Sequence, residues 1–169
     1  MELNTFFLEL LKLHERLNEL FFRHQKALLS LDIDPAVEIL WVYEEELLAH
    51  LKDEEELLLP LYQERAGKVP GGPVELFLGE HRKMRGFLQE FHKALVQMQG
   101  QEGSLLRHSI IALMDRQCMY KCLMEHHSLR EKNILYPWLD RITSDEERAL
   151  LLGQCRRIRE KDAPLFTDR

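Results

Sequence analysis

An ionised carboxylate is among the costliest groups to bury, and this sequence sets one twice into an apolar helix face, each time four residues after a histidine. At ~100° per residue, positions four apart share a helix face. One stripe runs Tyr43, Leu47, His50, Glu54, Leu57, Leu58, Leu61; the other runs Tyr120, Leu123, Met124, His127, Glu131, Ile134, Leu135. Burying a carboxylate costs several kcal/mol unless a cation or hydrogen-bond donors compensate. Having it happen twice, beside histidines, calls for a shared compensator. A pair of divalent ions held by imidazoles and carboxylates is one; two hydrogen-bonded His–Glu pairs without metal is the other.

The rest of the chain supplies a frame for these two stripes. Breakers are concentrated at Asp34-Pro35, at Gly67-Lys68-Val69-Pro70-Gly71-Gly72-Pro73 and at Gly100-Gln101-Glu102-Gly103-Ser104. Between them, apolar residues at helical spacing predict helices over roughly 3–29, 35–65, 74–99 and 104–140, with Asp34 as an N-cap and Pro35 opening the second. Alternating β-branched runs are absent. The expected fold is all-α, an up-down-up-down antiparallel four-helix bundle over residues 1–142. Residues 143–169 add a short fifth helix to the same domain, started by the capping box Ser144-Asp145-Glu146-Glu147, and a loose tail from Asp162. Tyr43, His50, Glu54, Leu58 and Pro60 recur at one fixed displacement as Tyr120, His127, Glu131, Leu135 and Pro137. The chain thus reads as two helical hairpins related by a pseudo-twofold axis.

Eight histidines are unusual for 169 residues, and their phase sorts them. His14 lies on the stripe Leu3, Phe7, Leu10, Leu17, Phe21, and His81 on Phe77, Leu78, Met84, Leu88. One inward imidazole on each of these helices completes a four-helix site, so the candidate metal ligands are His14, His50, Glu54, His81, His127 and Glu131. His24, His92, His108 and His126 read as structural or surface residues. Cys118, Cys122 and His126 share a stripe, but its intervals are not those of common zinc modules, and buried thiols are the expectation. The acidic runs Glu44-Glu45-Glu46 and Asp53-Glu54-Glu55-Glu56 read as solvated faces in which only Glu54 is phased with His50. Arg85, a turn from His81, is expected to pair with a carboxylate or to reach outward. Tyr43 and Tyr120 are expected to be core tyrosines with satisfied hydroxyls.

Composition narrows the function. A formal charge of −6 argues against a nucleic-acid groove, which needs a basic face. No run approaches the ~18 apolar residues of a membrane span, the N-terminus lacks a basic signal-peptide region, and three cysteines fit a reducing compartment. A cytoplasmic protein with no membrane or nucleic-acid partner is the expectation. The Glu-x-x-His motif of ferritin-like sites fails, because Leu47 and Met124 precede the two histidines; His14-Glu15 followed by Asn18 excludes the zinc-protease motif.

The pattern of His in helix one, His-x-x-x-Glu in helix two, His in helix three and His-x-x-x-Glu in helix four resembles the hemerythrin-like, or HHE cation-binding, domain. The resemblance covers roughly residues 10–140 and includes Leu59-Pro60 and Tyr136-Pro137. It implies a non-haem di-iron centre with Glu54 and Glu131 bridging and His14, His50, His81 and His127 as terminal ligands; zinc or manganese could substitute. Oxygen carriers of this family have a further histidine where this chain has Arg85, and a His-x-x-x-x-Asp whose last position is Lys132 here. The four-His, two-Glu set looks more like relatives that handle nitric oxide, maintain iron–sulfur centres or sense iron and oxygen. The expected function is a di-iron protein binding a small diatomic, O2 or NO, for sensing, buffering or iron-centre maintenance, with a redox partner in view. A di-iron oxidase or peroxidase and a metal-free helical interaction protein are the alternatives.

Overall fold

The computed structural model describes residues 6–162, with side chains through residue 155, and every regular element among them is helical. A 3-10 turn, Phe7–Leu10, leads into α1, Leu11–Leu29. The next helical run holds α2, Ile33–Asp53, a π turn, Glu54–Leu58, and α3, Leu59–Ala66. α4 is Val74–Met98. A second long run holds α5, Gly103–Arg130, another π turn, Glu131–Leu135, and α6, Tyr136–Ile142. α7 is Asp145–Asp162. The all-α class and the helix boundaries therefore follow the hydrophobic periodicity closely, and residues 3–5 and the tail beyond Asp162 lie outside the described residues.

Two ends differ from expectation. α2 starts at Ile33, so Asp32 takes the cap position without a side-chain bond, and Pro35 sits inside the first turn. Proline is tolerated there because the first N–H groups of a helix have no intrahelical acceptor. The fifth helix is not short: α7 runs 18 residues. Its capping box forms, with Ser144 N–H donating to Glu147 at 3.0 Å and Glu147 N–H donating to Ser144 Oγ at 3.2 Å, and the next proline is Pro164.

α1 packs on α2, α2 on α4, α4 on α5 and α5 on α1, which closes a ring of four long helices. Among the described residues the buried apolar side chains form two separate clusters. One includes Leu17, Phe21, Leu40, Tyr43, Leu47, Leu88, Phe91 and Tyr120. The other includes Phe7, Leu58, Tyr62, Phe77, Leu135, Tyr136, Leu139 and Leu152. The second is closed by the 67–73 loop, where Tyr62 donates to the Gly72 carbonyl at 2.8 Å; a Cβ on Gly72 would lie 2.6 Å from the Ile134 side chain. Along α2, α4 and α5 the inward positions pass from one cluster to the other through a polar layer, and that layer holds the histidines and glutamates of the two stripes.

A second buried polar group lies within the first cluster. Gln25 donates to Gln117 Oε1 at 3.0 Å, Gln117 donates to His24 Nε2 at 2.8 Å, and His24 Nδ1–H donates to the Ala36 carbonyl at 2.7 Å. This network satisfies a neutral imidazole only. Burial pushes His24 from 6.5 down to about 4, against the pull of its bond to Ala36 and with the help of His92. The unfolded chain therefore takes up this proton first as pH falls. The stabilisation is complete above ~6.5, declines between there and ~4, and amounts to on the order of 3 kcal/mol. Urea melts at pH 7.5 and pH 4.5 should show His24→Gln losing about one proton's worth of the wild-type pH slope. An unchanged slope would mean that His24 is not held neutral.

Candidate metal centre

Four helical runs each deliver one or two side chains to the polar layer: His14 from α1, His50 and Glu54 from the second, His81 from α4, and His127 and Glu131 from the long run beginning with α5. All six candidates meet. His14 Nε2 lies 3.1 Å from His50 Nε2 and 3.3 Å from Glu131 Oε2. His81 Nε2 lies 3.3 Å from Glu54 Oε2, and His127 Nε2 lies 3.9 Å from that same oxygen. These contacts define two triads, His14–His50–Glu131 and Glu54–His81–His127, each with its ligand atoms within 4.8 Å of one another. The triads interlock, because Glu131 Oε1 is 2.9 Å from His127 Nε2 and Glu54 Oε1 is 3.7 Å from His50 Nε2. Each carboxylate thus faces histidines of both groups.

The donor chemistry fits divalent cations. Donors bonded to one ion at ~2.0–2.2 Å lie ~3 Å from their neighbours, which is the spacing seen here. Glu54 Oε2, His81 Nε2, His127 Nε2 and both Glu131 oxygens are buried without a well-aligned hydrogen bond. Burying such lone pairs facing one another is costly unless something positive lies between them. The titration of the two carboxyls expresses the same conflict. Burial opposes ionisation of Glu54, yet His50, His81 and His127 outweigh it and hold this carboxyl well below the usual range. Burial and the charge of Glu54 push Glu131 well above it, despite His127. A divalent cation would let both ionise.

The local backbone explains how the glutamates reach inward. In both π turns a bond spans five residues, from Leu59 N–H to the Glu54 carbonyl and from Tyr136 N–H to the Glu131 carbonyl. Pro60 and Pro137 follow directly. A proline within a helix offers no N–H and crowds the carbonyl four residues earlier, and widening the preceding turn relieves both problems. The wide turn buries His50, Glu54, Leu58 and Leu59 together, and likewise His127, Glu131, Leu135 and Tyr136. Pro60 and Pro137 were the sequence signal for this feature.

The outer partners of the histidines were not anticipated. His81 Nδ1–H donates to Glu55 Oε1 at 2.9 Å, and Arg85 donates to both oxygens of the same carboxylate. His127 Nδ1–H donates to Glu80 Oε2 at 2.8 Å, and Arg130 clamps Glu80 from the other side. His14 Nδ1 is 2.8 Å from Ser128 Oγ. Despite partial burial, Arg85 with His81 holds Glu55 below its ordinary value, and His127 with Arg130 does the same for Glu80. A carboxylate on Nδ1 fixes the tautomer and leaves the Nε2 lone pair aimed into the site. Each of the three partners sits directly beside a candidate ligand in sequence, Glu55 after Glu54, Glu80 before His81 and Ser128 after His127, and serves a histidine on the neighbouring helix. Tyr136 donates to Glu54 Oε1 at 3.0 Å; its counterpart in the first half is Leu59, and this break in the repeat could have singled it out.

The acidic run after His50 is not simply a solvated face, since Asp53 is buried and Glu55 holds His81. Glu44 likewise pairs with His92, whose ring stacks on Trp41. Cys118 and Cys122 are exposed rather than buried, because they lie on the outer side of α5, away from the Tyr120 and His127 face; Cys155 is buried. Arg85 does pair with a carboxylate, and the Tyr43 and Tyr120 hydroxyls satisfy each other at 2.6 Å.

The model of one protein family, described as the Hemerythrin HHE cation binding domain, matches residues 6–139. No curated protein matches the chain significantly, and neither does any solved structure.

Proposed function

Because this chain belongs to the hemerythrin HHE cation-binding domain family, we propose that His14, His50, Glu54, His81, His127 and Glu131 hold two iron ions, with Glu54 and Glu131 bridging. The protein is then a cytoplasmic binder of O2 or NO, acting in sensing, buffering or iron-centre maintenance. The observation that carries this reading is the set of mutually facing donor atoms on four helical runs, with the inward atoms of Glu54, His81, His127 and Glu131 buried without a well-aligned hydrogen bond. An up-down-up-down bundle with antiparallel neighbours, residues 1–142, belongs to the same proposal and is supported by the closed ring of helix contacts. Residues 143–169 complete that domain. The exposed thiols of Cys118 and Cys122 suit a reducing compartment.

Bound iron supplies one-electron redox chemistry and coordination positions open to a diatomic. The chain's own residues do the rest. Glu55 and Glu80 steady His81 and His127 through Nδ1, and Tyr136 steadies Glu54. The two apolar clusters above and below the layer limit water around it. Four imidazoles and two carboxylates leave fewer protein ligands than the oxygen carriers provide, which favours sensing, buffering or maintenance over bulk transport.

The test is anaerobic loading with Fe(II), followed by optical spectra under argon, NO and air. New absorption bands on adding NO or O2, absent from the metal-free protein, are the expected result. A loaded protein whose spectrum neither gas changes would refute the ligand assignment. Multiple turnovers of O2 with a reductant would favour the oxidase alternative.

A further inference from the structure

We infer that the centre also accommodates an aliphatic carboxylate, bound in a cavity between α1 and α5 with its polar end at the His14 and His50 imidazoles. The inference rests on the metal reading above, because a carboxylate needs a cation at that end.

The cavity measures about 630 Å3. That is roughly twenty times the ~30 Å3 share of a water molecule, and a diatomic needs little more than one such share. It falls within the ~300–1,000 Å3 range of small-molecule sites. Its lining has a direction. At one end are His14, His50 and His127, and His14 is the most accessible of the six candidate ligands, with 12% of its side chain exposed. Much of its remaining wall is apolar, with buried Leu17, Phe21, Leu47 and Leu51 beside Tyr43 and Tyr120, whose hydroxyls are already paired with each other; Asn18, Gln25 and Ser128 are its uncharged polar members. The rim carries exposed Lys121 and Lys132 against exposed Glu15 and Glu125, a balance that selects no polyanion. Along α1 the lining extends from Leu11 to Gln25, about 21 Å at the helical rise. A long apolar wall that ends on metal-ligating imidazoles matches a molecule with a hydrocarbon body and a single oxygen-donor head. His14 and His50 of one triad and His127 of the other line the cavity, whereas Glu54, His81 and Glu131 do not, so the head meets the centre at its histidine edge.

The test uses the metal-loaded 169-residue chain, with decanoate below its micelle concentration and acetate as probes, in titration calorimetry. Each buried methylene adds affinity, so decanoate should bind at least ~100-fold more tightly than acetate. Asn18→Trp and Leu129→Trp place an indole over the cavity from exposed lining positions; each should weaken decanoate at least ~10-fold and leave metal content unchanged. Equal affinity for the two acids, or decanoate binding indifferent to both tryptophans, would overturn the inference. Metal content is read separately by elemental analysis. A chain that holds no metal yet takes decanoate in a tryptophan-sensitive way would refute the metal reading and, with it, the placement of the head; a chain that holds metal but shows no preference for decanoate would overturn the inference and leave the metal reading standing.

Discussion

Glu131→Ala and Glu54→Ala are each expected to reduce bound metal from about two ions per chain to one or fewer, with the survivor weakly held. Each glutamate faces histidines of both triads, so each truncation removes a ligand from both positions. Altering an outer partner of a metal ligand costs ~10–100-fold in affinity, and deleting a bridging ligand should cost more. Glu55→Gln and Glu80→Gln provide the scale: they keep the ligands and should lower affinity only within that range. Competition with a chelator, read by elemental analysis after desalting, separates the two classes. Unchanged metal content in both alanine variants would sink the bridging assignment, and a deficit in Glu80→Gln as deep as in Glu131→Ala would mean that position matters more than ligation.

Metal removal should destabilise the fold. Without a cation the layer holds two buried carboxyls whose preferences are driven apart, Glu54 ionised and Glu131 protonated. A ligand present at ~1,000 times its Kd contributes ~4 kcal/mol of stability. For a chain of this size that corresponds to roughly 8–16 °C in Tm, which is the fall expected on chelation. The double variant Glu54→Gln, Glu131→Gln removes both ionisable carboxyls at nearly constant shape. It should bind no metal, melt at the same temperature with and without chelator, and lie at or above the metal-free wild type, because a buried charge has been replaced by a neutral amide. A wild-type Tm indifferent to chelator would instead support a metal-free helical interaction protein.

Much of this arrangement was legible in the residues. The helices followed from period and breakers, and the site followed from phase: His50 with Glu54 and His127 with Glu131 could point inward only if something offset their burial. What period cannot show is how a helix departs from period. The π turns are such departures, and with them came the burial of Leu59 and Tyr136, as well as the bond from Tyr136 to Glu54. Residues that flank a ligand lie ~100° from the inward face and read as solvent-facing, so nothing in the sequence sets Glu55, Glu80 and Ser128 apart from exposed neighbours. They reach around the helix edge to the next histidine. His24 is a structural residue, as its phase suggests, but its partners, Gln117 and the Ala36 carbonyl, lie on other helices and carry no local signal. Cys118 and Cys122 were misplaced because composition favours buried thiols, whereas helix phase puts them outward.

The most direct measurement is anomalous diffraction at the iron edge from crystals of the iron-loaded protein. Two peaks ~3.5–4 Å apart, one against His14, His50 and Glu131 and the other against His81, His127 and Glu54, are the predicted result. A single peak, peaks ligated by other residues, or no peak in protein that elemental analysis shows to be loaded would contradict the account.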